Sequence, residues 1–387
     1  MDKSLKILIV KMSAIGDVIH TLPALNAIKN KFPDAQITWL IEEAAADIIL
    51  RHSALKRVII LKRKKWVKNL FSIKCGHALS KIYFFLKELR DTKYDMIIDF
   101  HSLFKSGIMV MLAKGDRKIG FDKGMEHAEM SHIFYNERIA PVSMEIHALK
   151  RGLLFLESLD IPYEKIEYNL PIIKKERQNL NNILKQKCIT PDLPIICINP
   201  QATWETKLWD NKKFAILSDK LKEKYQSHII FTGGNNDFKA VNKIISMMQS
   251  SATNLAGITS LKTLAVLYEK AMLLVTTDTG PMHLGVAAGI KTAAIFGSTA
   301  PWRTGPYTSN SVVVRSNIDC SPCFKRVCKS KKCMKDISVD YVMGKIDKLM
   351  GSVQINCYSN ALSFMPDLVN SIERIRSNSR LFRVIRD

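Results

Sequence analysis

One stretch, Leu273–Ser298 (LLVTTDTGPMHLGVAAGIKTAAIFGS), limits what this chain can fold into. LLVTT is β-branched and apolar, as a buried strand requires. DTGP is a turn that opens a helix. Asp278 or Thr279 can cap that helix, Gly280 lets backbone approach a ligand, and Pro281 suits the first helical turn. Met282–Gly289 is a helix of small residues that can lie tight on a sheet, stopped by Gly289, and TAAIFG is the next strand. Strand, turn, helix and strand make a βαβ unit. The free N–H groups at the helix start favour a phosphate, although an ordinary Asp-capped βαβ unit would read the same way.

The same alternation recurs along all 387 residues, a length that suits two domains rather than one core. KILIVK (Lys6–Lys11) is a strand, and Asp17–Phe32 has helical spacing. Gln36–Glu43 is a strand, AAADIILRH a helix, and Val58–Lys62 a third strand. Lys62–Tyr94 is basic and aromatic, with an amphipathic helix in its latter half. Asp95–Ser102 is a strand, Leu103–Lys114 a helix, Lys118–Asp122 a short strand, and Met144–Ile161 a closing helix. After a joint and a polar helix the pattern restarts at Ile195–Pro200. A helix is expected in Lys207–Lys224, a strand at His228–Gly234, and a helix at Thr259–Ala271 capped by Thr259 or Ser260. The expected fold is therefore α/β: two Rossmann-like, doubly wound parallel-sheet domains facing across a cleft. This is the architecture called GT-B in glycosyltransferases. The expected divisions are 1–170, 171–350 and a tail, 351–387. The tail carries a basic amphipathic run, SIERIRSNSRLFRVIR.

Lys and Arg number 58 against 36 Asp and Glu, a formal charge of +22. Such a balance calls for an anionic partner: nucleic acid, a phosphorylated substrate or an anionic membrane surface. A nucleic-acid-binding protein is the alternative from another class, but no zinc finger, RNP-like strand or helix-turn-helix is evident, so no nucleic-acid partner is expected. No apolar run approaches the roughly 20 residues of a membrane span. The expectation is a cytoplasmic chain whose eight cysteines are mostly reduced thiols or metal ligands.

Asp17 stands at the carboxyl end of the first strand, where open α/β sheets place ligands. It reads as a general base or as a helix N-cap, and on the residues alone the cap is the better reading. SAIGD lacks the G-x-G-x-x-G dinucleotide fingerprint, which weighs against a nicotinamide or flavin enzyme. Thr203 and Lys207, after the Ile195–Pro200 strand, could face a phosphate, and Lys suits a leaving diphosphate. Asp237, after the glycines of FTGG, could hold a hydroxyl-rich group. The basic run Lys62–Lys68 (KRKKWVK) could grip phosphates or carboxylates of a substrate, or rest on an anionic bilayer with Trp66 at the interface. Cys320, Cys323, Cys328 and Cys333 have C-x₂-C-x₄-C-x₄-C spacing. Four thiolates could bind zinc, but the second pair lacks the C-x₂-C knuckle, so reduced thiols and no metal are the expectation.

Taken together, KMSAIGDVIHTLPAL (Lys11–Leu25), DFHSLFKS (Asp99–Ser106), TKLW (Thr206–Trp209), DTGPMHL (Asp278–Leu284) and the Cys320–Met334 tail resemble the ADP-heptose:lipopolysaccharide heptosyltransferases, glycosyltransferase family 9. GDVIHTLPAL looks like the branch that adds the first heptose, heptosyltransferase I. The resemblance implies an inverting, metal-independent transfer that needs no cofactor, with ADP-heptose as donor and Kdo-lipid A as acceptor. It implies Asp17 as the base, with Lys207 and Thr203 on the diphosphate. Asp278, Thr279, Gly280 and His283 match the donor turn, and Asp237 an acidic position near the nucleotide sugar. Arg63, Lys64 and Lys65 match basic acceptor positions. HAEM (His127–Met130) departs from the family, which has an arginine there. A peripheral location on the cytoplasmic face of the inner membrane follows from such an acceptor.

Overall fold

The computed structural model describes residues 4–63, 65–66 and 75–363. Two compact units are present, Met1–Val339 and Asp340–Asp387. The described part of the second is helical, within Val339–Ser363. The basic run expected in the tail lies outside the described residues.

The first unit holds two six-stranded sheets. The first has strands β1 (Lys6–Val10), β2 (Gln36–Glu42), β3 (Leu55–Leu61), β4 (Lys93–Asp99), β5 (Lys114–Phe121) and β6 (Glu137–Ile139), in the order β3-β2-β1-β4-β5-β6. The second has β7 (Ile195–Asn199), β8 (His228–Phe231), β9 (Thr253–Asn254), β10 (Leu273–Thr277), β11 (Thr292–Ile295) and β12 (Ser311–Val314), in the order β12-β11-β10-β7-β8-β9. Every pairing is parallel. Both orders are the doubly wound 3-2-1-4-5-6. Each sheet thus has one switch point, between β1 and β4 and between β7 and β10, and ligands bind beyond the strand ends there.

The strands read as near-continuous apolar runs because helices cover both faces. Ile7–Val10, Ile196–Ile198 and Leu273–Val275 are wholly buried. The Gly280–Ala287 helix lies close on β10: a Cβ at Gly285 would fall 2.5 Å from a Leu274 methyl, so small residues are needed there as expected.

Three expected elements differ. AAADIILRH forms only the single helical turn Glu43–Ala46. Ala45, Ala46, Ile48 and Ile49 are all buried, a run that no single helical stripe can supply. The helix expected from Met144 begins at Ala148, because the His147 ring accepts the Leu149 N–H at 3.2 Å and so caps it. Lys207 lies in a 3₁₀ turn, Glu205–Lys207, and the following helix starts at Asn211, capped by Asp210.

Candidate active site

Asp17 is the third residue of the Ile15–Lys31 helix, and its Oδ2 accepts the Ala14 N–H at 3.0 Å. One carboxylate oxygen therefore closes the helix start. The other makes no hydrogen bond among the described residues. Asp17 lines a cavity of about 140 Å³ with Lys11, His20, His101 and Arg151. The Lys11 ammonium reaches in from the end of β1 and donates to the Phe100 carbonyl at 2.9 Å. Burial lowers its pKa, opposed by Asp17 and Asp99. Arg151 donates to the Met144 and Ile146 carbonyls, and burial lowers its pKa too. Burial pushes His101 down to about 2, with Lys11 and Lys105 adding to the effect. Glu126 lines the cavity as well, so two cations, Lys11 and Arg151, stand with two carboxylates. The cations can hold an anionic group beside a carboxylate that can take its proton.

DFHS holds this wall in place. Asp99, fully buried, accepts the N–H groups of His101 at 2.8 Å and Ser102 at 3.1 Å and the Tyr135 hydroxyl at 2.8 Å.

In the second sheet Asp278 is also buried. Its Oδ2 lies 2.7 Å from the Lys207 Nζ and accepts the Thr299 hydroxyl at 2.6 Å. Lys207 also lies 4.7 Å from the Trp204 ring centre. The Asp278 carboxylate therefore orients Lys207 rather than capping the helix. Thr279 occupies the cap position but makes no side-chain cap bond. The helix start opens onto a cavity of about 290 Å³ lined by Thr203, Gly233, Gly234, Asp237, Thr279 and Pro281. Asp237 accepts the Gly234 N–H at 2.7 Å. A Cβ on Gly233 would fall 2.9 Å from that of Asp237, so glycine is what lets this loop fold so closely. Helix N–H groups, glycines, a hydroxyl and a carboxylate suit a phosphorylated, hydroxyl-rich ligand.

The two switch points touch. The His20 and His283 rings stand edge to face, 4.3 Å between centres, and His147 stands 5.1 Å from His20. A Cβ on Gly16 would fall 2.4 Å from His283 Cδ2, and one on Gly280 would fall 3.0 Å from Ile15. His147 Nδ1 accepts from Leu149, so Nε2 carries the proton and donates to the Gly305 carbonyl at 3.0 Å, tying the first sheet's helix to the second sheet's loops. Burial pushes His283 down to about 4, partly opposed by Asp278 and Asp17. Burial also holds His20 well below its usual range, helped by His283 and His147. Both rings are neutral at pH 7.

The structure brings Asp17, Gly280 and His283 to one junction, with Lys207 and Asp278 paired beside it and Thr203, Asp237 and Thr279 around the larger cavity. It does not bring the basic run to Asp17. Arg63 pairs with Glu42 at 3.3 Å and Lys65 with Glu43 at 2.9 Å, around a separate cavity. Lys64 lies outside the described residues. Cys320 is exposed, Cys323 and Cys328 are half-buried, and Cys333 is buried; all four are free thiols. Among the described residues no cluster of three or more His, Cys, Asp or Glu is arranged to hold a metal ion.

Sequence reasoning missed Lys11, His20, His101, His147 and Arg151. Lys11 and His20 interrupt otherwise apolar stretches of the first motif. His147 and Arg151 stand four apart, one helical turn, on the face that meets the cleft.

Two doubly wound lobes with facing switch points make the GT-B architecture, which other two-lobed enzymes and binding proteins can also share. The description "glycosyltransferase family 9 (heptosyltransferase)" matches residues 82–334. This chain belongs to that family. Lipopolysaccharide heptosyltransferase 1 of Pseudomonas aeruginosa is 29% identical over 331 residues, 84% of this chain and 87% of that protein. Lipooligosaccharide heptosyltransferase 2 of Campylobacter jejuni is 27% identical over 355 residues, 89% of this chain and 99% of its own. The structure of the E. coli heptosyltransferase WaaC with ADP superposes with a TM-score of 0.73 at 25% identity, covering 89% of this chain and all of that one.

Proposed function

We propose that this enzyme builds the lipopolysaccharide core by moving L-glycero-D-manno-heptose from ADP-heptose to a Kdo hydroxyl of Kdo-lipid A. The observation that carries this reading is the junction itself: Asp17 shares a pocket with Lys11 and Arg151, and the wall of that pocket meets the donor turn at Gly16–His283. The donor's phosphates lie at the Gly280–Ala287 helix start, with Thr203 and Thr279 beside them and Asp237 near the sugar hydroxyls. The acceptor's carboxylate lies toward Lys11 and Arg151. The free Asp17 oxygen takes the proton as the Kdo oxygen attacks the anomeric carbon from the face opposite the diphosphate. The bond from that carbon to the diphosphate breaks, configuration inverts, and ADP leaves with its new charge offset by Lys207. Asp278 holds Lys207 in place for this. No step needs a metal or organic cofactor.

The first-heptose assignment rests on GDVIHTLPAL and on the likeness to the Pseudomonas enzyme. The Campylobacter relative supports the rival, transfer of the second heptose. A membrane-borne acceptor implies a peripheral position on the cytoplasmic face of the inner membrane. Mass spectrometry after incubation with ADP-heptose separates the readings. One heptose added to Kdo₂-lipid A is expected. Addition only to an acceptor that already carries heptose would overturn the first-heptose assignment. No addition to either would overturn the reading as a whole.

A further inference from the structure

An apolar groove of about 350 Å³ runs along the Cys75–Arg90 and Phe104–Leu112 helices. Trp66, Ile82, Phe85, Leu86, Met109 and Leu112 line it, and Arg63 and Lys105 stand in its wall. Those two cations share one carboxylate, Glu42, at 3.3 and 3.8 Å. Beside them Lys62 and Lys65 share Glu43, at 3.9 and 2.9 Å. Four cations against two carboxylates leave two positive charges in excess. An apolar slot flanked by surplus cations matches one chemistry, an acyl chain joined to a phosphate.

The apolar character continues outside the groove. Leu79, Tyr83 and Phe84 on the Cys75–Arg90 helix are 56%, 64% and 58% exposed, where a water-facing helix would carry polar residues. Lys81 and Lys87 are exposed on the same helix. Aromatic rings beside lysines are the composition of a surface that sits at the headgroup level of a bilayer. No helix among the described residues is long and apolar enough to cross a membrane. The groove also leads toward chemistry: Met12 lines it, and Lys105 donates to the Ser13 hydroxyl at 3.2 Å in the loop that precedes Asp17.

We infer that this face docks on an anionic phospholipid bilayer, with one acyl chain entering the groove and its phosphate at Arg63 and Lys105. The inference rests on the membrane-borne acceptor proposed above and names the surface that meets the membrane. It is tested with the full chain and vesicles that contain neither donor nor acceptor, so the outcome stands whether or not sugar transfer is found. The chain should sediment with phosphatidylglycerol–phosphatidylcholine vesicles at least tenfold more strongly than with phosphatidylcholine alone. Replacing both exposed rings, Tyr83→Ser with Phe84→Ser, should weaken that binding about tenfold. Lipids brominated on the acyl chain should quench tryptophan fluorescence in the wild type, and Trp66→Phe should remove most of the quenching. Equal binding to both vesicle types, full binding by the double variant, or unchanged quenching in Trp66→Phe would each overturn the inference.

Discussion

At the scale of single residues, the site works by fixing charges before substrate arrives. Lys207 and Asp278 illustrate this. Their side chains are 17% and 5% exposed, and the pair is 2.7 Å apart. Removing one partner from such a pair strands the other, at a cost of about 3 kcal/mol. Asp278→Asn should therefore lower stability by roughly that amount in denaturant titration. It should also reduce turnover, because Lys207 loses its orientation. A variant of wild-type stability and rate would show that the pair does not matter. Lys207→Ala should weaken both ADP-heptose binding and turnover; unchanged kinetics would refute its place on the diphosphate. Arg151 is expected on the acceptor side alone. Arg151→Ala should raise the acceptor KM at least tenfold and leave the donor KM within twofold. A donor effect of equal size would remove Arg151 from the acceptor pocket. The roles proposed for Lys207, Thr203 and Asp237 came from the family motifs and the Gly-rich strand ends. That Asp278 serves Lys207 was not legible, because a buried ion pair between residues 71 apart in sequence leaves no local pattern.

At the scale of elements, alternating apolar runs and helical periods were enough to recover most strands of both sheets, because parallel strands buried on both faces read as continuous β-branched and aliphatic runs. The three-residue edge strand β6 is too short to show such a run. Apart from AAADIILRH, which forms a single turn, the helix failures were at element edges. His147 stops a helix whose periodicity continues upstream, and Asp210 starts one four residues later than Lys207 suggested. Both are side-chain caps, which act on the backbone independently of periodicity. The contact between the Ile15–Lys31 and Gly280–Ala287 helices was also hidden, since it joins residues far apart in sequence. Gly16 tests it. Its backbone is helical, so Gly16→Ala should favour the helix by up to about 1 kcal/mol. The added methyl, however, would meet the His283 ring at 2.4 Å. The expected result is a stable protein in which kcat/KM falls at least tenfold, since the lobes can no longer meet as closely. Wild-type activity in Gly16→Ala would mean that this closeness is not needed for transfer.

At the scale of the whole molecule, the two lobes are held at their junction by neutral histidines, and this makes the assembly sensitive to acid. The folded His283 pKa is about 4 against the ordinary 6.5, so the unfolded chain takes up that proton first. Stability is full above about pH 6.5 and falls as pH drops toward 4. His283 alone accounts for on the order of 3 kcal/mol across that window, and His20, also depressed, adds to it. The melting temperature should therefore drop steeply between pH 6.5 and 4.5, and His283→Gln should flatten the drop. An equal slope in the variant would rule out the histidine junction as the cause. The charge of +22 was legible as a demand for an anionic partner, but its placement was not: the run around Arg63 faces Glu42, Glu43 and an apolar groove instead of Asp17. The central claim spans both lobes, with the donor held by one and the proton taken by the other. Measuring ADP-heptose binding and heptose transfer side by side in Asp17→Asn tests it most directly. Donor affinity within about twofold of wild type, with transfer reduced by at least 10²–10⁴-fold, is the predicted result; transfer near the wild-type rate would contradict it.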